Sequence, residues 1–337
     1  MTRVTLKDVA AKAGVSYQTV SKVLNNRAQV APETEERIWA AVRELNYRPN
    51  VSARNLRKQA SNLIGYAWHY TPDDFMHPVL DAFVHSVANA AEREGFHLLT
   101  FLATGEPPRP DVYQELFFRN QVAGFVLADT VTDDPRVKIL MERDIPFVTF
   151  GRANDSWDFC WIDVDGRAGL RDAVKHLLGK GHRRIAFVTW PEGSQSGSYR
   201  EQGYRDALQS RDIVPRDEWI IRGENAAELG RRAVRCLLAL PREQRPTAIA
   251  CVSDLVAIGA INAATAAGIV VGQDLAITGF DDIPLARYTQ PPLTTVRQPI
   301  QEVGPEVVKL LLKQIRGDSA GQQQIILEPE LIVRESG

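Results

Sequence analysis

The string TLKDVAAKAGVSYQTVSKVLNN, near the amino end of a 337-residue chain, leaves its own stretch few folds to choose from. Leu6, Val9, Ala10 and Ala13 fall at i, i+3, i+4 and i+7, the spacing of one buried helix face. Thr5 just ahead and Asp8 three residues on make a capping-box-like pair that can satisfy the first free backbone N–H groups. Gly14 supplies a corner, since a residue without Cβ takes positive φ at little cost. Ser16 is a suitable N-cap for a second helix, in which Val20, Val23 and Leu24 can face a core and Tyr17, Gln18, Ser21, Lys22 and Asn25 point outward. After Pro32 the same apolar spacing returns at Ile38, Ala41, Val42 and Leu45, a third helix that completes a small core. A helix with a thin apolar stripe and with amides, hydroxyls and a cation on its other face suits readout of base edges in the major groove. Plain packing would also account for such a hairpin.

Charge separates these two readings. The whole chain is balanced, with 40 Lys+Arg against 42 Asp+Glu. Residues 1 to 60 nevertheless carry 11 basic and 5 acidic side chains, which leaves 29 and 37 for residues 61 to 337. An asymmetry of this kind is expected when only one end of a protein must meet phosphates.

The strings VTLKDVAAKAGVSYQTVSKVLNN and VAPETEERIWAAVRELNYRPN resemble the lac-repressor (LacI/GalR) family of bacterial transcription regulators, and the resemblance spans essentially the whole chain. It implies base contacts from Tyr17, Gln18 and Lys22. Thr5, Leu6, Ser16, Thr19, Ser21, Asn25 and Tyr47 match positions that touch phosphates or flank the bases, and so position the head rather than specify sequence. The segment NVSARNLRK has helical capacity but too few apolar residues to fold by itself, and by composition it reads as a linker. The resemblance implies instead a hinge helix that orders on DNA and packs as a pair in the minor groove. Leu56 matches the residue that wedges between base pairs, and Asn50, Ala53 and Arg54 match its neighbours.

Beyond Ser61 apolar runs alternate with amphipathic stretches. Strands are expected at 63–68, 97–103, 124–127, 146–150, 184–189, 248–252 and 275–279, and helices at 78–95, 166–178, 198–210, 226–240 and 255–267. Alternation of this kind argues a parallel sheet covered on both faces. One sheet would be crowded in 277 residues, which favours two doubly wound subdomains. The expected fold is thus a small all-α helix-turn-helix DNA-binding head followed by an α/β core of two doubly wound parallel-sheet subdomains. The resemblance implies that this core is periplasmic-binding-protein-like. The expected divisions are 1–49 for the head, 50–60 for the hinge and 61–337 for the core. Chain crossings near Trp161, Pro292 and Gly321 assign 61–160 and 293–321 to one subdomain, 162–291 and 322–337 to the other.

A ligand in such a fold sits between the subdomains, at the carboxyl ends of strands. By resemblance Arg200 matches an arginine that binds effector hydroxyl or carboxylate groups, and Asp281 an acid that accepts hydrogen bonds from the ligand. Arg152, Asp165, Ser253, Asn225, Gln298, His69, Tyr70 and Trp190 lie at or beside further ligand-facing positions, where capping is an equally good account. Trp68, Tyr70, Trp157, Phe159, Trp161 and Trp190 fall near expected strand ends, which favours a carbohydrate that stacks on rings, although core filling explains any one of them.

Catalytic and metal readings find no support in the sequence. Cys160, Cys236 and Cys251 are far apart, no CxxC occurs, and the six histidines form no ligand-spaced pair with them. Buried free thiols are the default expectation. GSQSG has Gln195 where a nucleophile elbow needs serine. No cofactor is expected. There is no apolar signal sequence and no run of the roughly 18 to 20 apolar residues a membrane span needs, so the expected compartment is the cytoplasm. The expected protein is a homodimeric repressor on a pseudo-palindromic operator, responsive to a small sugar. The absence of an apolar heptad tail after EPELIVRESG argues against tetramers. Alternatives are a regulator dependent on a purine or other small-molecule corepressor, a sugar-binding protein without a DNA role, a nonspecific DNA-packaging protein and an enzyme.

Overall fold

The computed structural model describes residues 4–24, 30–47, 61–68, 77–103, 111–318, 321 and 323–337. They fall into two units, one within 1–60 and one within 61–337.

The head comprises α1 (Leu6–Ala13), α2 (Tyr17–Leu24) and α3 (Pro32–Glu44). The Asp8 carboxylate accepts from both the backbone N–H and the hydroxyl of Thr5 at 2.7 Å, which fixes where α1 begins. Gly14 ends it at φ +64°, and the chain closes on itself through Val15 N–H to the Ala10 carbonyl at 3.1 Å. Ser16 Oγ accepts from Thr19 N–H at 3.1 Å and starts α2, and Pro32 starts α3 where no N–H partner is needed. Val9, Ala10, Ala13, Val20, Val23, Ile38 and Ala41 form the head core. Tyr47, expected at the DNA backbone, belongs to that core as well. It is 8% exposed, because the three short helices need a large ring to fill the space between them.

The core runs β1 (Leu63–Trp68), α4 (Pro78–Arg93), β2 (His97–Leu102), α5 (Asp111–Phe118), β3 (Gly124–Leu127), α6 (Pro135–Glu142), β4 (Phe147–Phe150), β5 (Trp161–Val164), α7 (Gly166–Gly179), β6 (Ile185–Thr189), α8 (Gln195–Gln209), β7 (Ile220–Arg222), α9 (Ala227–Leu238), β8 (Ala248–Cys251), α10 (Asp254–Ala266), β9 (Ala276–Thr278), β10 (Thr295–Arg297), α11 (Ile300–Arg316), β11 (Gln324–Leu327) and β12 (Glu330–Ile332). Two parallel sheets result, ordered β11-β5-β4-β3-β1-β2 and β7-β6-β8-β9, together with an antiparallel β10-β12 pair. The strands beneath the helices are buried almost end to end, as parallel sheets covered on both faces require.

The crossings differ from the sequence reading. Trp161–Val164 pairs with both β4 and β11 and so stays in the first sheet, and Gln324–Leu327, expected in the second subdomain, lies beside it. Arg297 bridges to Asp281, and Thr294 to Thr278, so the return crossing follows β10 rather than Pro292. The 17-residue α11, which the alternation did not single out, buries Val303, Val307, Val308 and Leu311 in the first subdomain.

One close approach positions the site. On α8, a Cβ added at Gly203 would stand 2.1 Å from the Arg167 carbonyl oxygen of α7, so the two helix backbones touch there. Gly203→Ala must push the helices apart, and we expect a loss of about 1–3 kcal/mol, read as a lower urea midpoint for the core.

Candidate functional site

On the head, α2 presents one polar face to solvent. Gln18 and Lys22, one turn apart, are exposed, and Tyr17, Thr19 and Ser21 are half-buried. Ser16 and Thr19 share a hydroxyl hydrogen bond of 2.8 Å, and Thr5 is engaged by Asp8, while Leu6 packs against the head core. Asn25, Asn50, Ala53, Arg54 and Leu56, and in the core His69 and Tyr70, lie outside the described residues.

In the core, the carboxyl ends of both sheets bring charged groups into one cleft. Arg200, on the first half of α8, is only 6% exposed. Its Nη1 donates to the Val252 carbonyl at 2.5 Å, and its guanidinium lies 3.7 Å from the Phe280 ring centre and 4.8 Å from that of Trp190. The nearest carboxylate, Asp281, is 3.9 Å away, beyond a hydrogen bond. Arg200 Nε and Trp190 Nε1 are buried donors with no hydrogen-bond partner among the described residues. Burial pulls the Arg200 pKa down, against the opposing pull of Asp281, Asp163 and Asp254.

Asp281 is held in place by its neighbours rather than by its own preference. Its φ is +127° and that of Asp282 is +52°, both in the left-handed half of the map that side chains disfavour. The buried Asp254 carboxylate accepts from Ile283 N–H at 2.9 Å and from Thr295 Oγ1 at 2.5 Å. On the other side, the Asp282 carboxylate, 2% exposed, takes Arg334 at 2.5 Å and Arg297 at 2.8 Å. Those two anchors clamp residues 280–283 and aim Asp281 into the cleft, where Gln298 Nε2 donates to it at 2.7 Å.

Several expected ligand contacts have partners within the protein. Arg152 Nε donates to Asp163 at 2.8 Å, and its guanidinium sits 3.5 Å from the Tyr199 ring centre and 5.5 Å from that of Trp161. Asp165 accepts from Ala168 N–H at 2.8 Å and caps α7. Ser253 caps α10 and donates to Asn225 Oδ1 at 2.6 Å. The aromatic set does not form a platform. Phe159 and Trp161 are core residues, Trp157 packs against them, and Trp68 meets Tyr66 edge-on at 5.3 Å. Of the described members, only Trp190 stands over Arg200. Phe280, Tyr199, Asp163 and Asp254 were missed by the sequence reading. The run GFDD was the signal for Phe280, whereas Asp163 sits in a strand too short for its facing to be read.

Among the described residues no group of three or more His, Cys, Asp or Glu side chains could hold a metal ion, and no helix is long and apolar enough to cross a membrane. Cys160 and Cys251 are buried, but Cys236 is exposed, contrary to the expected burial of all three thiols.

Residues 5–50 match the family model for bacterial regulatory proteins of the lacI family, and residues 174–337 match that of the periplasmic binding protein-like domain. The chain is 34% identical to the HTH-type transcriptional repressor PurR of Erwinia tasmaniensis, over 98% of this chain and 96% of that one. It belongs to the lacI family. Among solved structures, the lac repressor dimer bound to operator and the anti-inducer ONPF superposes with a TM-score of 0.88 at 29% identity, covering 99% of both chains. The complex of the transcriptional regulator CelR with cellobiose gives 0.76 at 31% identity, covering 99% of this chain and 100% of that one. The protein is therefore a DNA-binding transcriptional repressor with a periplasmic-binding-protein-like core.

Titration of the repressor's cleft follows from its burial. Burial raises the Asp281 pKa from its ordinary value of 3.8 to about 6, although Arg200 and Gln298 oppose the shift. Burial and the neighbouring Asp281 charge also hold Asp254 well above the ordinary value. Between about pH 4 and 6 Asp281 binds more proton in the folded state than in the unfolded chain, so its own contribution to core stability falls as pH rises through that window. Asp281→Asn removes that share, so the denaturation midpoint of the variant relative to the parent should rise as pH goes from about 4 to 6.

Proposed function

We propose that the repressor binds a pseudo-palindromic operator as a homodimer and that a small sugar in the cleft of residues 61–337 releases it. Residues 1–49 act as the DNA-reading head and 50–60 as a hinge helix in the minor groove. In this reading Tyr17, Gln18 and Lys22 contact base edges, with Ser16, Thr19, Ser21 and Asn25 on the backbone or beside it. Leu56 wedges between base pairs, flanked by Asn50, Ala53 and Arg54. The protein acts in the cytoplasm, where the operator is.

The observation that carries the sugar is the pair of buried, unspent donors, Arg200 Nε and Trp190 Nε1, beside the carboxylate of Asp281. A ligand hydroxyl both accepts and donates, so one hydroxyl can accept a hydrogen bond from Arg200 and donate one to Asp281 across a gap too long for direct pairing. Neighbouring hydroxyls on a sugar ring suit such a mixed set of donors and acceptor, and the apolar walls of Phe280 and Trp190 suit the C–H faces of that ring. The cellobiose bound by CelR is a ligand of this class. Effector binding then alters the equilibrium between arrangements of the two subdomains, with a coupling typically of about 1–3 kcal/mol to operator affinity.

The test is titration of an operator, selected by the protein from a randomised DNA pool, with mono- and disaccharides including cellobiose, and with nucleobases and nucleosides in parallel. Release by a sugar is expected, and release should vanish in Arg200→Ala while operator binding remains. Tightening, or response to a nucleobase alone, would replace this reading with a corepressor-dependent one. On the DNA side, Gln18→Ala should cost about 1–3 kcal/mol of specific binding. Leu56→Ala should weaken specific binding more than nonspecific binding, because a wedge acts only on deformed DNA, as competitor titrations in matched salt would report.

A further inference from the structure

Around the rim of the cleft, three loops and one helix end from opposite subdomains meet in a continuous chain of contacts. From the first subdomain come residues 129–134, which follow β3, and 151–159, which follow β4. From the second come the turn at 191–194 and the first residues of α8. Thr132 Oγ1 lies 3.1 Å from the Gly193 carbonyl and 2.9 Å from Gln195 Oε1, and Thr132 N–H donates to the same carbonyl at 3.4 Å. Gln195 Nε2 in turn donates to the Tyr199 hydroxyl at 2.9 Å, and that hydroxyl donates back across the gap to Asp155 at 2.7 Å. Beneath it, the Tyr199 ring lies over the Arg152 guanidinium of the first subdomain at 3.5 Å.

Each side of this chain is stiffened from behind. Thr130 Oγ1 donates to the Arg152 carbonyl at 2.9 Å, tying the first two loops together. The Arg136–Asp134 pair, at 2.6 Å and 3% and 1% exposed, also donates to the carbonyls of Ala128 and Asp129 and holds the loop that carries Thr132. Behind Arg152 stands Asp163, whose charge also acts on Arg200 of the opposite subdomain. Thr132, Gln195, Tyr199, Asp155 and Arg152 thus connect the two halves at the rim by hydrogen bonds and one ring–cation contact.

We propose that these five residues form a latch that favours the closed arrangement of the two subdomains, and so presets how strongly the repressor responds to an effector. Polar links at a partly wet rim are individually worth little, and the latch can therefore open on the timescale of ligand exchange. Its strength sets the fraction of molecules in the closed arrangement. The apparent affinity of any ligand that touches both halves scales with that fraction. The inference does not depend on which small molecule occupies the cleft, and its test uses none.

Opening is read as a distance. A nitroxide on the exposed native Cys236 of α9 and a second on Glu142→Cys, at the exposed end of α6, report the separation of the two subdomains by electron–electron double resonance of the full chain. Cys160 and Cys251 are buried and remain unlabelled. Labelled chain exchanged into a large excess of unlabelled Cys236→Ser chain, so that a dimer carries one labelled protomer, should give one dominant distance. Adding Thr132→Val and Tyr199→Phe, which keep side-chain shape and remove the hydroxyls, should add a second, longer population, with the open-to-closed ratio rising on the order of tenfold. Asp155→Asn, which retains an acceptor for Tyr199, should shift the distribution less than Asp155→Ala. A distribution unchanged by removal of both hydroxyls, or equal shifts from the two Asp155 variants, would overturn the latch.

Discussion

The cleft is organised around a buried cation. Arg200 is brought almost wholly out of water by α8, and a guanidinium so placed must be paid for by nearby groups. The surroundings answer with the Val252 carbonyl, the faces of Phe280 and Trp190, and three carboxylates at longer range, yet none of the carboxylates makes a hydrogen bond to it. Both members of the Arg200–Asp281 pair are pushed toward their neutral forms despite their attraction. Desolvation therefore outweighs pairing at 3.9 Å. A folded protein tolerates such an arrangement when the rest of its architecture fixes it in place. That rigidity is supplied by contacts remote from the cation.

Two anchors supply it on the second subdomain. The contact of α7 with α8 at Gly203 sets the height of Arg200, and the double clamp on residues 280–283 holds two successive positive φ angles that the chain would otherwise avoid. Asp254 and Arg334 take no part in the cleft surface. They spend hydrogen bonds to keep a strained loop in one shape, which is how a flexible acid becomes a fixed acceptor. The first subdomain contributes through Asp163 and Arg152, which face the same space from β5 and the loop after β4.

The head follows different rules. Its three described helices are short, and their core is a handful of small apolar side chains closed by the Tyr47 ring. What distinguishes it is the excess of positive charge over the first sixty residues and the polar face of α2. The core carries the opposite balance. Charge segregation lets one unit be drawn to phosphate while the other keeps its acids for hydrogen bonding in a cleft.

The helices of the head, its capping box, the Gly14 corner and the βα alternation of the core were determined by sequence alone, because each is a local pattern of caps, periods and breakers. What tertiary structure decided is everything that depends on residues far apart in sequence. Strands of three or four residues such as β5, β7, β10 and β12 carry no readable period, so the crossing points shifted from Trp161, Pro292 and Gly321 to positions set by strand pairing. Tyr47 turned inward because the head core needed its volume, and Phe159 and Trp161 did the same in the first subdomain. Arg152 found Asp163 and Tyr199 rather than open space. Phe280, Tyr199 and Asp163 in the cleft, and the anchor Asp254 behind it, belong to this class, since a side chain's partner far along the chain is chosen by packing, which no local spacing records.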